Sequence, residues 1–390
     1  MPERAAISFP PVAIAGCGAI TAAGNGVEAL RTALQENRSG LRSVERFNHA
    51  RFQSSIVGAV PNFPDQADDP AFQLADEALR QARAEAREIL STVPPERLGL
   101  VLSTTKANIE ALERLSDGRP CSAAARRHLQ GDLLAADLAA MHQARGPVQC
   151  VSAACVSGLI ALQQGAKFIQ RGSADAVLVA GVDHLSAFVV AGFTALKAID
   201  PQGCRPFDRD RGGLSPGEAG AAIVLVRGDL APRSAVRISG WGSSNDANHL
   251  TGPSRDGSGL ALAIRQALNS AQLSPADIDA VNAHGTGTPY NDAMESLALR
   301  TIFGDACPPL SGFKGMLGHT LGAAGVVESI LCLLAMQAKL LPGTPRLGVA
   351  AEGIPASITH APRPAQRLKH FLKLNTGFGG INGALILSHE

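Results

Sequence analysis

The sequence predicts an α/β fold built from two copies of one βα unit. Short apolar runs that end in glycine alternate along the chain with longer helical patterns, as expected for strands buried under helices. Segments of the first half recur in the same order in the second half. With 390 residues, of which 45% are hydrophobic and 18% charged, the chain can bury a large core as one large domain or two fused ones.

Five pairs of segments carry this repeat, and each pair shares its element pattern or its glycine spacing. The pairs are residues 12–18 with 236–242, the helix before Leu98 with 259–273, 98–102 with 278–282, the helix after Cys155 with the helix after His319, and 217–225 with 379–387. We therefore expect two halves, 1–230 and 231–390, each with a mostly parallel sheet under helices. Residues from about 103 to 146 lack a clean core stripe and are predicted to form a covering insertion.

Composition excludes several classes of protein. The formal net charge of +1, without a Lys/Arg run, gives no electrostatic case for nucleic-acid binding. Seven cysteines without a CxxC pair argue against a disulfide framework or a zinc site and for a reducing, cytoplasmic compartment. Residues 14–17 resemble a lipoprotein cleavage site but lack a sustained apolar region before them. Residues 321–341 are long and apolar, but Glu328, Gln337 and Lys339 interrupt them, so we expect a core helix and no membrane insertion.

The strongest candidate for a nucleophile is Cys155, in residues 151–162. This stretch reads as a short strand, a turn of small residues and then a helix. A helix N-terminus carries partial positive charge, so we expect it to favour the thiolate. The alternative for Cys155 alone is a small buried hydrophobic residue.

Two histidines in the second half supply further chemistry. His284 ends a strand in the Gly/Thr-rich loop 282–289, and His319 lies in residues 314–325 at the start of the apolar helix. Histidines in glycine-rich loops at element ends suggest a site. If the two halves are copies, the helix N-termini of Cys155 and His319 meet across a pseudo-twofold axis.

Taken together, these residues resemble the elongating β-ketoacyl-[acyl-carrier-protein] synthases of the thiolase superfamily, over nearly the whole chain. The resemblance rests on residues 154–158, 205–208, 217–220, 246–249, 284–289, Lys314 with 318–319, and 377–380. It implies the thiolase fold, in which the duplicated βα unit forms five layers, α-β-α-β-α. It also implies an acyltransferase that needs no metal or cofactor, because its substrates arrive on the phosphopantetheine of an acyl carrier protein.

The resemblance assigns roles to named residues. Cys155 would take the acyl chain, and His284 and His319 would stabilise the enolate formed when malonyl-carrier loses carbon dioxide. The backbone N–H groups of Cys155 and Phe378 would form the oxyanion hole. Lys314 would support the histidines electrostatically.

Three further roles follow from the same resemblance, each beside a simpler reading. Thr286 and Thr288 would bind the pantetheine arm, or only make local turn bonds. Phe378 would gate the acyl pocket, or belong to the core. Glu328 would hydrogen-bond the glycine-rich turns from inside the core, or form an ion pair on a helix face.

Some segments depart from the family pattern and favour a specialised ketosynthase. Residues 374–376 and 103–106 differ from the usual Asn-Ser-Phe and Gly-Ser-Gly sequences. The loop that usually offers basic residues to the carrier here holds acidic ones, which would weaken docking unless one of three arginines compensates or a partner subunit supplies the surface. These residues are Asp65, Asp68 and Asp69, and Arg205, Arg209 and Arg211.

Competing functions are separated by single positions. A biosynthetic thiolase would have a second cysteine where Phe378 stands, and an initiating synthase would have asparagine in place of His319. A non-catalytic chain-length partner in a ketosynthase heterodimer would lack Cys155. A dimer is expected to form through the strand at 176–180. The sequence does not distinguish a homodimer from a heterodimer, primary from specialised metabolism, or one acyl length and saturation from another.

Overall fold

A computed structural model describes residues 11–46, 52–64 and 67–389. The strands of this part of the chain are β1 Val12–Thr21, β2 Gly24–Asn25, β3 Arg42–Ser43, β4 Ile56–Val57, β5 Leu98–Ser103, β6 Val148–Val151, β7 Ala176–Asp183, β8 Ala219–Arg227, β9 Arg237–Asn245, β10 Ala280–Asn282, β11 Leu310–Ser311, β12 Leu340–Leu341, β13 Arg363–Pro364, β14 His370–Gly377 and β15 Ile381–Ser388. The α-helices are α1 Val27–Gln35, α2 Pro70–Glu85, α3 Arg87–Leu90, α4 Ile109–Ser116, α5 Ala123–Arg127, α6 Gly131–Met141, α7 Ser157–Gln170, α8 Ala187–Ala195, α9 Ser258–Ala271, α10 Pro289–Phe303, α11 Lys314–Leu317 and α12 Ala324–Ala338.

One sheet of eleven strands contains both copies of the predicted unit. Its order is β11-β10-β14-β15-β9-β1-β8-β7-β5-β6, with β2 paired to β1. Reading outward from the β1/β9 contact, β1, β8, β7, β5 and β6 match β9, β15, β14, β10 and β11 in order and direction. The predicted duplication is therefore present in the strand order itself.

The expectation of a mostly parallel sheet was wrong. In each copy two strand pairings are parallel and two are antiparallel. The cause of the error is burial, since β8 is antiparallel to both neighbours yet eight of its nine residues are buried. A strand covered on both faces reads as a continuous apolar run whatever its direction.

Helices form three layers around the strands. On one outer face α2 packs against β1, β8 and β7, and α6 packs against β5 and β6. Between the two copies lie α7 and α12, which contact each other and strands of both copies. On the other outer face α9 packs against β9 and β15, with α10 beside it. With the strands between them, these layers are the predicted α-β-α-β-α arrangement.

Glycines in the first strand of each copy let a helix approach closely. A Cβ atom at Gly16 or Gly18 would lie 2.6 or 2.1 Å from carbonyl oxygens of α2. At Gly240 and Gly242 it would lie 2.4 and 2.1 Å from carbonyl oxygens of α9. The repeated glycine pattern at 12–18 and 236–242 therefore has one physical cause, a strand in contact with a helix backbone.

Two other expectations concern the covering segment and the apolar helix. In the segment of about 103–146, all of which the structure describes, Ser103 ends β5 and the rest contains α4, α5 and α6 and no strand. That this segment is a covering insertion stays a prediction. The 18-residue stretch Leu321–Ala338 is long and apolar enough to cross a membrane, but 89% of it is buried inside the protein. It is the core helix that the sequence predicted. The division of the chain at residue 230 stays a prediction.

The predicted dimer strand is not at a free edge. Strand β7 pairs with β5 on one side and β8 on the other, so it cannot extend the sheet across a twofold axis. Among the described strands, β6 is the one that ends the sheet on this side. The sequence placed the edge wrongly because β5, β6 and β7 are all parallel, and only crossover connections decide their spatial order.

Candidate active site

Cys155 lies in a strained turn between β6 and α7. Ala154 adopts a left-handed backbone with φ 47°, which is costly for a non-glycine residue. Ser157 stabilises this turn, because its Oγ accepts the Ala153 N–H at 2.8 Å and donates to the Ala154 carbonyl at 2.5 Å. The turn directs a buried thiol, 8% exposed, toward the interior of the cavity described below.

A crossing of two helices brings this turn to the histidines. At Gly158 a Cβ atom would lie 2.7 Å from the Val326 nitrogen, and at Gly325 it would lie 2.3 Å from the Leu159 nitrogen. Helices α7 and α12 therefore touch backbone to backbone at their first turns. The Cys155 sulfur and one ring nitrogen of each of His284 and His319 lie within 4.8 Å of one another. The two imidazole rings are 5.1 Å apart and nearly perpendicular.

Hydrogen bonds fix the same tautomer in both histidines. Nδ1 of His319 accepts the backbone N–H of Leu321 at 3.1 Å. Nδ1 of His284 faces two donors, Lys314 Nζ at 3.1 Å and Asn375 Nδ2 at 2.9 Å. Burial, and after it the charge of Lys314, lowers the pKa of each histidine well below its ordinary value, so both rings are neutral. Each ring therefore carries its proton on Nε2 and can donate a hydrogen bond there.

Lys314 is a buried link between the histidine pair and α12. Its side chain is 0% exposed, and Nζ also donates to the His284 carbonyl at 2.5 Å and to Glu328 Oε1 at 2.8 Å. The resemblance implies that Glu328 hydrogen-bonds the glycine-rich turns, and the side chain of Asn375, in one of these turns, donates to its Oε2 at 3.5 Å. Glu328 forms ion pairs with Lys314 and with Lys373, the latter at 2.7 Å. A buried carboxylate is stabilised most by full charges, which the sequence did not place beside it.

The resting thiol is not a thiolate, contrary to expectation. Burial raises the pKa of Cys155 to about 11, although Lys314 and the backbone N–H groups of Phe378 and Cys155 lower it. Desolvation therefore outweighs any stabilisation by the helix start, which lies two residues further on at Ser157. The N–H groups of Phe378 and Cys155 are the two that the resemblance assigns to the oxyanion hole, and their effect on the pKa of Cys155 is that of groups near its sulfur.

The cavity above the thiol has a volume of about 1140 Å³. It is lined by Cys155, His284 and His319, and also by Thr286, Thr288 and Phe378. The two threonine hydroxyls are 2.8 Å apart, so the local turn bond is present and both groups also face the cavity. Phe378 is 37% exposed and its ring lies 6.1 Å from that of Phe193. It is therefore a residue of the cavity wall and not of the core.

Buried carboxylates hold the loops of this site, and the sequence did not assign them this role. Glu295 accepts the backbone N–H groups of His284 and Gly285 at 2.6 and 2.7 Å. Asp292 accepts those of Phe207 and Gly287 at 2.7 and 3.2 Å. Burial raises the pKa of Glu295 to about 7 and that of Asp292 to about 6. Asp292 and Glu295 are three residues apart near the start of α10, so they lie on the same face of the helix. This spacing could have indicated that both carboxylates face the preceding loop, residues 282–289.

Asp183 anchors the unusual loop at 103–106. It ends the apolar strand β7 and is fully buried. Its carboxylate accepts hydrogen bonds from Thr104 Oγ1 at 2.9 Å and from the Gly322 N–H at 2.7 Å, and it pairs with Lys106 at 3.1 Å. One side chain therefore connects this loop to the turn that follows His319.

Two of the three aspartates in the acidic loop, Asp68 and Asp69, bind other groups of the protein. Asp65 lies outside the described residues. Asp68 accepts the Ser122 N–H at 3.3 Å, and Asp69 caps α2 and pairs with His128. Of the compensating arginines, Arg205 pairs with Asp200, Arg211 pairs with Asp292 and Arg209 is exposed.

One cysteine and two histidines at this spacing also have the geometry of a metal site. Metal-bound histidine normally donates its second ring N–H to an acceptor. Here both Nδ1 atoms face donors instead, so the Nε2 lone pairs are occupied by protons. In this arrangement the two rings are hydrogen-bond donors toward the cavity.

Comparisons with known proteins agree with this geometry. The beta-ketoacyl synthase N-terminal domain model matches residues 10–231, and the C-terminal domain model matches residues 235–347. The chain is 32% identical to putative polyketide beta-ketoacyl synthase 1 of Streptomyces cyaneus, covering 97% of each chain. It is 31% identical to 3-oxoacyl-[acyl-carrier-protein] synthase 2 of Vibrio cholerae, covering 96% of this chain and 98% of that protein.

A solved structure shows the same fold. A chain of the ishigamide ketosynthase/chain length factor structure superposes with a TM-score of 0.90 at 30% identity, covering 98% of this chain and 100% of that one. Together with the family models, this confirms the predicted family and fold. The chain belongs to the β-ketoacyl synthase family, with the thiolase fold.

Proposed function

We propose that this chain is a β-ketoacyl-[acyl-carrier-protein] synthase. It joins an acyl chain held on Cys155 to the two carbons left when malonyl-carrier loses carbon dioxide. The observation that carries the proposal is the meeting of one thiol and two neutral imidazoles in a single cavity. The similarity to the 3-oxoacyl-[acyl-carrier-protein] synthase of Vibrio cholerae supports the same reaction class.

The first half-reaction is acyl transfer to the thiol. Cys155 attacks the thioester carbonyl of the acyl-carrier, and the N–H groups of Cys155 and Phe378 stabilise the oxyanion. The bond to the phosphopantetheine sulfur breaks, and that sulfur leaves with the proton of the attacking thiol. Thr286 and Thr288 line the path that the pantetheine arm would occupy.

The second half-reaction needs hydrogen-bond donors and no base. The Nε2–H groups of His284 and His319 donate to the thioester oxygen of malonyl-carrier, where negative charge develops as carbon dioxide leaves. The enolate carbon attacks the acyl carbonyl, and the Cys155 sulfur departs and regains a proton. The electrons of the new bond come from the broken carbon–carboxylate bond, so the chemistry needs neither metal nor cofactor.

The partner of this chain would be a second subunit of the ketosynthase fold, joined at β6. This edge strand ends the sheet, and Val148 on it is 42% exposed. Met141 on α6, the helix that packs against β6, is also an exposed apolar side chain. The ishigamide structure holds a ketosynthase and a chain length factor, so a related subunit is as good a candidate as a second copy. Cys155 favours the catalytic role over the chain-length role for this chain. We place the protein in the cytoplasm, where carrier proteins supply such substrates.

Mass spectrometry tests the proposal directly. The wild-type protein is incubated with a series of acyl-carrier thioesters and then with malonyl-carrier, and Cys155→Ala serves as the control. We expect an acyl adduct on residue 155 of the wild type only, followed by a product longer by two carbons. A wild-type protein that forms no adduct with any carrier and releases no carbon dioxide would refute the enzyme.

A further inference from the structure

Lys373 is a buried lysine that none of the site motifs contains. It lies on β14, its side chain is 0% exposed, and Nζ is 2.7 Å from Glu328 Oε2. Its second contact is the carbonyl of Leu374. Burying a lysine here carries a large desolvation cost. A hydrophobic residue of similar volume would fill the same place in the strand without that cost.

The buried cluster of Lys314, Lys373 and Glu328 has an excess of positive charge. Each oxygen of Glu328 faces one lysine, Oε1 at 2.8 Å and Oε2 at 2.7 Å. Among the described residues, Glu328 is the one carboxylate within ion-pair distance of either lysine. Burial opposes ionisation of Glu328, yet the two lysines hold its pKa below the ordinary value. Burial lowers the pKa of Lys373, and the Glu328 carboxylate opposes that shift. With both lysines protonated, two ammonium groups and one carboxylate give a net charge of +1.

This charge faces the histidine pair. Lys314 contacts His284 directly, and both lysines lower the pKa of both histidines. The charged and titratable groups around the pair are Lys314, Lys373, Glu328, Cys155, Glu295, and the Lys106–Asp183 ion pair. Cys332, beside Lys373, adds no negative charge because burial raises its pKa far above neutrality.

We propose that Lys373 is a positioning residue for decarboxylation, which supplies the excess positive charge behind the histidine pair. Lys373 and Lys314 share the single negative charge of Glu328, because each pairs with one of its oxygens. The charge of Lys314 is therefore only partly neutralised, and a cation stays beside His284. That cation favours movement of negative charge from the malonyl carboxylate to the enolate oxygen at Nε2–H. The same cation opposes protonation of Nδ1 in both histidines. Each ring therefore stays neutral and keeps its Nε2–H as a hydrogen-bond donor. This inference rests on the proposed function.

Removing the charge without removing the volume tests this role. Lys373→Met leaves Glu328 and Lys314 as a neutral pair, so no carboxylate is stranded. We expect malonyl decarboxylation to slow about tenfold at pH 7, the rate equivalent of about one pKa unit. We also expect the acid limb of the pH–rate profile to move up by about one pH unit, because a nearby cation no longer opposes histidine protonation.

A double variant separates charge from structure. K373M/E328Q removes one cation and one anion, so the net charge returns to that of the wild type. Its acid limb should return to the wild-type position, and its rate should exceed that of K373M. A lysine needed only for packing would give a double variant at least as impaired as K373M. The exposed Lys369→Met, four residues away, controls for the substitution itself.

The measurements use the full chain and malonyl-pantetheine thioester as the probe, with release of carbon dioxide as readout. Unchanged rate and acid limb in K373M would overturn the inference, as would a double variant that fails to restore the limb. If K373M does not fold, the double variant alone must still show the wild-type limb. Wild-type protein that releases no carbon dioxide refutes the proposed function instead. In that case NMR titration of the histidines in wild type and K373M still tests the charge effect.

Discussion

Replacing Gly325 with alanine should separate the two helices on which the site is built. A Cβ atom there would lie 2.3 Å from the Leu159 nitrogen and 2.7 Å from the Gly158 carbonyl carbon. Both neighbours are backbone atoms of α7, so no side chain can rotate away to make room. The helices must therefore move apart by an amount on the order of 1 Å to restore ordinary contact.

The magnitude follows from overpacking and from catalytic geometry. Added atoms in a close-packed core cost about 1–3 kcal/mol, and we expect the upper part of this range because both backbones are buried. Alanine has a higher helix propensity than glycine, which offsets up to about 1 kcal/mol of this cost. Cys155 precedes one helix and His319 the other, so their separation grows, and a misplacement of about 1 Å costs roughly a hundredfold in rate.

The assay pairs calorimetric unfolding with the condensation rate, and Gly192→Ala is the matched control. Gly192 is also a helical glycine, on α8, and a Cβ atom there would meet nothing within 4 Å. That variant should unfold at or slightly above the wild-type temperature and keep its rate. If G325A behaves like G192A in both measurements, the helix crossing does not set the distance between thiol and histidine.

Two predictions concern ionisation. Because burial raises the pKa of Cys155 to about 11, its alkylation by iodoacetamide should speed up about tenfold per pH unit from pH 7 to 10. The C155A variant corrects for alkylation of the partly exposed Cys121, Cys150 and Cys307. A plateau near pH 7 would show an activated thiolate instead. The pKa of Glu295 is about 7 in the folded protein and 4.5 ordinarily. Because the folded state holds this proton more tightly, the contribution of Glu295 to the free energy of unfolding is complete below pH 4.5. That contribution is lost as the pH rises through 7. Urea unfolding of Glu295→Gln should lack this decline, and pH profiles of wild type and variant that run parallel would contradict the assignment.

The sequence identified the reacting groups because their positions are local features. Cys155, His284 and His319 each lie in a turn of small residues next to a strand or helix end, where a side chain can reach a cavity. The repeat then predicted that Cys155 and His319 meet, since a duplicated unit places equivalent helix ends across one axis. The family itself was predicted from the resemblance of the motifs around these residues to those of the elongating synthases.

The buried supports could not be read in this way. Lys373 stands in a strand pattern, where a lysine normally marks a solvent face, and its partner Glu328 is 45 positions away on α12. Glu295 and Asp183 likewise act through backbone N–H groups brought to them by folding. The position of the sheet edge also depends on crossover connections, which is why β6 and not β7 ends the sheet.

Residue order along the chain was enough to identify the groups that react: the Cys155 thiol, two imidazoles and the amides of two turns. The protonation states of the thiol and the imidazoles depend instead on their surroundings in the folded protein. Burial makes the thiol neutral, and donors from Leu321, Lys314 and Asn375 move both imidazole protons to Nε2. The physical reason is that desolvation and hydrogen-bond direction depend on what surrounds a group in space, and residue order along the chain does not specify those surroundings.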